Sequence, residues 1–203
     1  EPPEVTNTLM AETFAESLAV GTTIATSVSV DPENATITYS LSGSDSEKFT
    51  VDSNGNIKVA STLDYETKDT YNVTLNAFDG TNTRSREVVV RVTDVNDIPV
   101  LNTTLVANTF LENVTVGTVI GIAAAADPEL SNITYSLSGA DSDKFSLSNE
   151  GVLTLINTLD FETKQAYNIT VNASDGVNTT SKELTVTAIN VNEAPTLSST
   201  LAA

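Results

Sequence analysis

Apolar and polar residues alternate along this chain in short stretches. Ile37, Tyr39 and Leu41 are separated by Thr38 and Ser40; Tyr71, Val73, Leu75 and Ala77 by Asn72, Thr74 and Asn76. Val88, Val90 and Val92 are separated by Val89 and Arg91. A period of two is that of a half-buried strand, whose successive side chains point to opposite faces. Phe49-Thr50-Val51 and Ile57-Lys58-Val59 flank the turn formers Asp52-Ser53-Asn54-Gly55-Asn56 and predict a hairpin. Thr8 to Phe14 and Thr22 to Val30 predict two further strands. Nothing has the period of a helix. Ile122 to Ala126 is built of helix formers, but it aligns with Thr26-Ser27-Val28-Ser29-Val30, so strand is predicted there too.

The pattern occurs twice. Asp31-Pro32-Glu33 returns as Asp127-Pro128-Glu129, and Leu63-Asp64-Tyr65-Glu66-Thr67-Lys68 as Leu159-Asp160-Phe161-Glu162-Thr163-Lys164. Asp79-Gly80 returns as Asp175-Gly176, and the offset is 96 throughout (127 minus 31, 160 minus 64, 175 minus 79). About seven strands per repeat predict an all-β chain of two tandem immunoglobulin-like, seven-stranded antiparallel sandwiches. The expected boundaries are 1–97 for the first repeat, with a linker at 94–99, then 98–194, with 195–203 opening a further repeat. In this register Glu1 is the last acidic residue of an earlier linker, which predicts an excised piece of a longer array.

Composition narrows the function. Of 203 residues, 27 are acidic and 9 basic, giving a net charge of −18. No basic surface is available to replace phosphate counterions, which excludes nucleic acid, and anionic membrane surfaces are equally disfavoured. No apolar run is long enough to enter a bilayer. There is no Cys and no His, so thiol and imidazole catalysis, disulfides and the usual zinc ligands are all excluded. Any metal must be a hard cation taking oxygen ligands, Ca²⁺ or Mg²⁺. Tyr71 and Phe14 are expected in the core, and Tyr65, Phe161 and Phe78 are the aromatics off the inward pattern. The sequons Asn34-Ala35-Thr36 and Asn132-Ile133-Thr134 are read as by-products of a Thr/Asn-rich composition.

Solubility alone does not require carboxylates at the same turns of both repeats. Yet Glu16 and Glu112, Asp31 and Asp127, Glu33 and Glu129, Asp64 and Asp160, Glu66 and Glu162, and Asp79 and Asp175 all recur. Midway stands Asp94-Val95-Asn96-Asp97-Ile98-Pro99, which returns as Asn190-Val191-Asn192-Glu193-Ala194-Pro195. Carboxylates and carbonyls on alternate residues of an extended turn can converge on one cation.

Glu16, Asp31-Pro32-Glu33, Leu63-Asp64-Tyr65-Glu66, Ala77-Phe78-Asp79-Gly80 and Asp94-Val95-Asn96-Asp97, in that order, resemble a cadherin repeat, and the resemblance covers the chain twice. D-P-E stands where that family has D-x-D, L-D-Y-E where it has L-D-R-E, and Ile98 where its linker ends in Asn. These variants are similar to cadherin-like extender modules of large bacterial surface adhesins. The resemblance implies a Ca²⁺ cluster at the junction held by Glu16, Asp64, Glu66, Asp94, Asn96, Asp97, Asp127, Glu129 and Asp175, with a backbone carbonyl from Val95 or Asn96. Two or three ions are implied, Ile98 having removed one side-chain ligand. Weaker terminal half-sites are implied at Glu1, Asp31, Glu33 and Asp79, and at Glu112, Asp160, Glu162, Asn192 and Glu193. The implied role is a calcium-rigidified extracellular spacer or adhesion module, partnered by calcium and by neighbouring repeats. A carbohydrate or protein ligand would then be carried elsewhere in the parent protein. The alternative is that the repeats themselves bind a partner, by homophilic contact or to carbohydrate. Catalysis is not expected, since the carboxylates recur in both repeats and flank a linker.

Overall fold

The computed structural model describes residues 1–5, 12–102, 105 and 109–195. It divides into two units, Glu1–Val95 and Asn96–Ala203. Among the described residues the first unit carries nine strands: β1 (Glu4–Val5), β2 (Glu12–Ala15), β3 (Thr23–Thr26), β4 (Ser29–Val30), β5 (Thr38–Ser42), β6 (Phe49–Val51), β7 (Asn56–Val59), β8 (Thr70–Phe78) and β9 (Thr83–Thr93). The second repeats them as β10 (Val100–Leu101), β11 (Thr109–Leu111), β12 (Val119–Ile122), β13 (Ala125–Ala126), β14 (Thr134–Ser138), β15 (Phe145–Leu147), β16 (Val152–Leu155), β17 (Ala166–Ser174) and β18 (Thr179–Ile189). There is no α-helix among them, and only one 3-10 turn per unit, Ser46–Lys48 and Ser142–Lys144.

Each unit is a sandwich. In the first, the order β2-β9-β8-β5 forms a four-stranded sheet and β3-β7-β6 a three-stranded one, with β1 paired to β4 alone. The second has the same three sheets, β11-β18-β17-β14, β12-β16-β15 and β10-β13. The alternation read in the sequence sets the inner faces. Tyr71, Val73, Leu75, Val88, Val90 and Val92 from one sheet meet Ile24, Phe49, Ile57 and Val59 from the other. Their counterparts Tyr167, Ile169, Val171, Leu184, Val186, Phe145, Leu153 and Leu155 form the second core. Tyr71 is buried, its ring edge-on to Phe49 at 6.1 Å, and Phe14 packs half-buried against the same core.

The strands differ from the expected set in three respects, the first being the short strands β1 and β10, which no alternation predicts. The predicted strand Thr22–Val30 breaks into β3, paired with β7, and β4, paired with β1; between them Ser27 is buried and makes the last bond of the first ladder, its N–H on the Gly55 carbonyl (2.9 Å). Ile122 to Ala126 breaks in the same way into β12 and β13, with the Ala123 N–H on the Gly151 carbonyl (2.8 Å). The sheets are also not wholly antiparallel, since β2 runs parallel to β9 and β11 to β18. Of the expected strand Thr8–Phe14, residues 8–11 lie outside the described residues, as does the expected further repeat beyond Pro195. No helix among the described residues is long and apolar enough to cross a membrane.

Candidate metal centre

The last strand of the first unit, β9, ends at Thr93 and delivers Asp94 beside the turn that follows Leu63. Carboxylate oxygens of Glu16, Glu66 and Asp94 lie within 4.8 Å of one another. Glu16 is the organiser. It is buried, at 7% exposure, and its two oxygens accept the backbone N–H groups of Tyr65 (2.5 Å) and Val95 (2.8 Å). It thus ties the turn to the start of the linker. Asp64 accepts the Thr67 N–H through Oδ1 (2.8 Å), closing an Asx turn that presents Glu66. Asp64 is not part of the three-oxygen group; its counterpart Asp160 is part of the equivalent one, with Glu112 and Glu162. Glu112 accepts the N–H groups of Phe161 (2.7 Å) and Val191 (2.6 Å), which hold its pKa below the usual carboxylate value. Asn190, standing where the first repeat has Asp94, donates to Glu162 (2.6 Å). Burial raises the pKa of Glu193, and the charges of Glu112 and Glu162 raise it further.

The opposite pole of the second unit gathers the other expected ligands. The Asn96 amide donates to Asp175 Oδ2 (2.9 Å), and the Asp97 N–H to Glu129 Oε1 (3.1 Å). The Asn178 amide donates to the carbonyl oxygens of Asn96 (3.1 Å) and Asp97 (3.2 Å). Asp175 Oδ1 takes the N–H groups of Val177 and Asn178, both at 2.6 Å. The Asn96 amide first, and these N–H groups with it, hold the Asp175 pKa low. Beneath them Asp127 is buried and accepts the Ser131 N–H through Oδ1 (2.9 Å). The first unit repeats this pole. The Glu1 nitrogen meets Glu33 (3.1 Å), the Asn82 amide donates to the Glu1 carbonyl (3.4 Å), and Asp79 caps Thr81 and Asn82. Asp31 Oδ1 accepts from Glu33 (2.9 Å) and Ala35 (2.8 Å). Sequence reading passed over Asn82 and Asn178, although both sit three residues past an aspartate in Asp79-Gly80-Thr81-Asn82 and Asp175-Gly176-Val177-Asn178.

An Asx turn uses one carboxylate oxygen and leaves the other. In Asp31 and Asp127 the remaining Oδ2, and in Glu129 the Oε2, are buried with no hydrogen-bond partner. A buried unsatisfied carboxylate oxygen costs free energy that ordinary turn chemistry does not explain. These oxygens, the converging carboxylates and the absence of His and Cys from the sequence together fit a hard divalent cation with oxygen ligands.

Comparison with known families matches a cadherin domain over residues 11–93 and again over 108–192. The chain belongs to the cadherin family. It is 36% identical to human Protocadherin Fat 4 over 184 residues, 84% of this cadherin and 4% of that protein. It is 33% identical to human Cadherin-23 over 169 residues, 80% of this chain and 5% of that one. The chain therefore spans a small part of the length of these relatives. Among solved structures, mouse Cadherin-23 EC22-24 covers 94% of this cadherin with 65% of its own chain, at 32% identity and a TM-score of 0.54. Human Protocadherin-24 EC1-2 covers 93% with 99% of its own chain, at 27% identity and a TM-score of 0.55. Cadherin domains are extracellular adhesion modules and not enzymes, and they generally bind Ca²⁺.

Proposed function

We propose that this chain is a calcium-rigidified spacer within a long extracellular surface protein. Glu16, Asp64 and Glu66 belong to the first repeat, Asp94, Asn96 and Asp97 to the linker that closes it, and Asp127, Glu129 and Asp175 to the second. The residues that would hold Ca²⁺ are these, with a backbone carbonyl from Val95 or Asn96. When bound, the ion neutralises converging carboxylates and gives the buried oxygens their partners. The observation that carries the reading is the buried, unpartnered Oδ2 of Asp127 and Oε2 of Glu129. Like sets at the outer poles, Glu1, Asp31, Glu33 and Asp79 at one and Glu112, Asp160, Glu162, Asn192 and Glu193 at the other, would serve neighbouring repeats. They are weaker as they stand, each holding one side of a junction. Repeat boundaries at 97 and 194 follow from the same register.

The variants Asp31-Pro32-Glu33 and Leu63-Asp64-Tyr65-Glu66, with Ile98 in the linker, support a bacterial adhesin as the parent, its carbohydrate or protein ligand borne on another domain. Calorimetric titration with CaCl₂ tests the calcium reading: uptake at submillimolar to millimolar concentration is expected, as in other extracellular modules, and Asp94→Ala weakens it. Small-angle scattering with calcium and with chelator tests the spacer role, the pair being straighter with calcium. A wild type that takes up no calcium, or superimposable scattering profiles, would end the proposal. Exposed Tyr65 and Phe78, at 38% and 40%, favour one second reading, direct binding of carbohydrate. Glycan binding lost in Tyr65→Ala and kept in Asp94→Ala would support it.

A further inference from the structure

Each unit buries one aspartate that the cation sites do not use. Asp45 and Asp141 are each 8% exposed and stand just before the 3-10 turns. Asp45 Oδ1 accepts Lys68 Nζ (2.5 Å) and Oδ2 accepts the Asn72 N–H (2.7 Å). Lys68 ends the segment that carries Asp64 and Glu66, and its own N–H returns to the Asp64 carbonyl (2.9 Å). Its ammonium lies 5.6 Å from the Tyr71 ring centroid. The Tyr71 hydroxyl accepts the Asp64 N–H (3.3 Å) and faces the Asp64 carbonyl (3.4 Å).

The second unit reproduces every link. Asp141 holds Lys164 (2.6 Å) and the Asn168 N–H (2.7 Å). Lys164 lies 5.9 Å from the Tyr167 ring centroid and returns its N–H to Asp160 (2.8 Å). The Tyr167 hydroxyl takes the Asp160 N–H (2.9 Å) and donates to its carbonyl (3.1 Å). Core packing accounts for the tyrosine rings. It does not account for a buried aspartate paired with a half-exposed lysine, nor for a hydroxyl placed on the peptide groups of Asp64 in one unit and of Asp160 in the other.

We infer that Asp45, Lys68 and Tyr71 are positioning residues for the turn that presents Asp64 and Glu66, and that Asp141, Lys164 and Tyr167 position Asp160 and Glu162. The inference rests on the calcium reading above. The ion pair fixes the lysine at the end of the turn, the lysine peptide closes the turn on Asp64, and the tyrosine hydroxyl anchors Asp64 to the sandwich floor. The turn is then set before any ion arrives. Partners that orient ligating carboxylates are commonly worth tenfold or more in metal affinity.

The test uses the whole chain and CaCl₂. Tyr71→Phe keeps the ring in the core and removes only the hydroxyl. The expected result is roughly tenfold weaker calcium binding by calorimetry, with the chelator-state melting temperature little changed. In chelator, amide exchange at Asp64 should also quicken. Lys68→Met should weaken binding and Lys68→Arg should restore it, which a role in stability alone would not produce. Should Asp45→Asn fail to fold, Tyr71→Phe decides the matter by itself. Calcium affinity unchanged in Tyr71→Phe and Lys68→Met overturns the inference while leaving the calcium reading intact. A wild type without calcium uptake overturns both.

Discussion

At the scale of single residues, the turn aspartates Asp31 and Asp127 serve the backbone with one oxygen only. Asp31 and Asp127 each close a turn through Oδ1, and Oδ2 is left without a partner. The same turn places residues 34 and 130 in the left-handed region, at φ 60 in both. The first repeat puts Asn there, which tolerates this conformation; the second puts Leu, which does not. Leu130 is also 89% exposed, so no packing offsets the strain. Leu130→Asn should therefore stabilise the calcium-free protein by about 0.5–1 kcal/mol, read as a higher urea midpoint at unchanged slope.

At the scale of elements, the hairpins β6–β7 and β15–β16 depend on glycine. Gly55 and Gly151 have φ of +79 and +80, and a Cβ at Gly151 would stand 2.1 Å from the Ala123 carbonyl oxygen. The close approach is the last rung between β12 and β16, where the Ala123 N–H meets the Gly151 carbonyl (2.8 Å). Gly151→Ala should cost more than about 2 kcal/mol, the left-handed penalty plus a backbone clash. Gly176→Ala has a similar φ of +100 but open space around it, so its loss should stay within the conformational term of about 1–2 kcal/mol. Equal losses in the two variants would show that the clash relaxes at no cost. The parallel pairing of β2 with β9 has a different consequence. β2, the first strand of the four-stranded sheet, and β9, the last, run the same way, so the chain enters that sheet at one pole and leaves at the other. An antiparallel pairing would have returned the linker to the pole where the chain began.

At the scale of the whole molecule, acidity is the dominant fact. The folded pKa values of Asp79, Glu112, Asp160 and Asp175 lie below their ordinary values. Those of Asp45 and Asp141 do so as well, because hydrogen bonds from lysine and backbone N–H outweigh the upward push of burial. For such groups the unfolded chain binds protons more readily, so their stabilisation is present above the ordinary value and is lost as pH falls through the folded one. Glu193 has the opposite sign, its folded pKa being raised, so its contribution is present in acid and is lost as pH rises through that value. A net charge of −18 adds self-repulsion near neutrality. The calcium-free protein should thus be most stable in weak acid near pH 5 and lose stability steeply below about pH 4, where the ordinary carboxylate values lie. Melting temperatures in chelator from pH 3 to 8 check this; a flat profile between pH 5 and 8 would show that repulsion among these carboxylates is weak.

The sequence alone determined the period of 96, the longer strands of each sandwich, their inward faces and the acidic turns. All of these are local or periodic properties. A two-residue alternation states which side is buried, and an acid repeated at one turn states that the turn matters. Tertiary structure decided what no spacing carries. Glu16 reaches Tyr65 and Val95 across 49 and 79 residues, and Asn178 reaches Asn96 across 82. Asp45 and Lys68 look like ordinary surface charges in the sequence, and only the fold buries one beneath the other. Asn82 and Asn178 left a faint repeated signal, but an amide after an Asp-Gly turn reads as turn chemistry until its partners are seen. Hydrophobic periodicity thus settles where each strand lies and which way it faces, while the convergence of carboxylates and their supports depends on which strand ends the sandwich brings to the same pole.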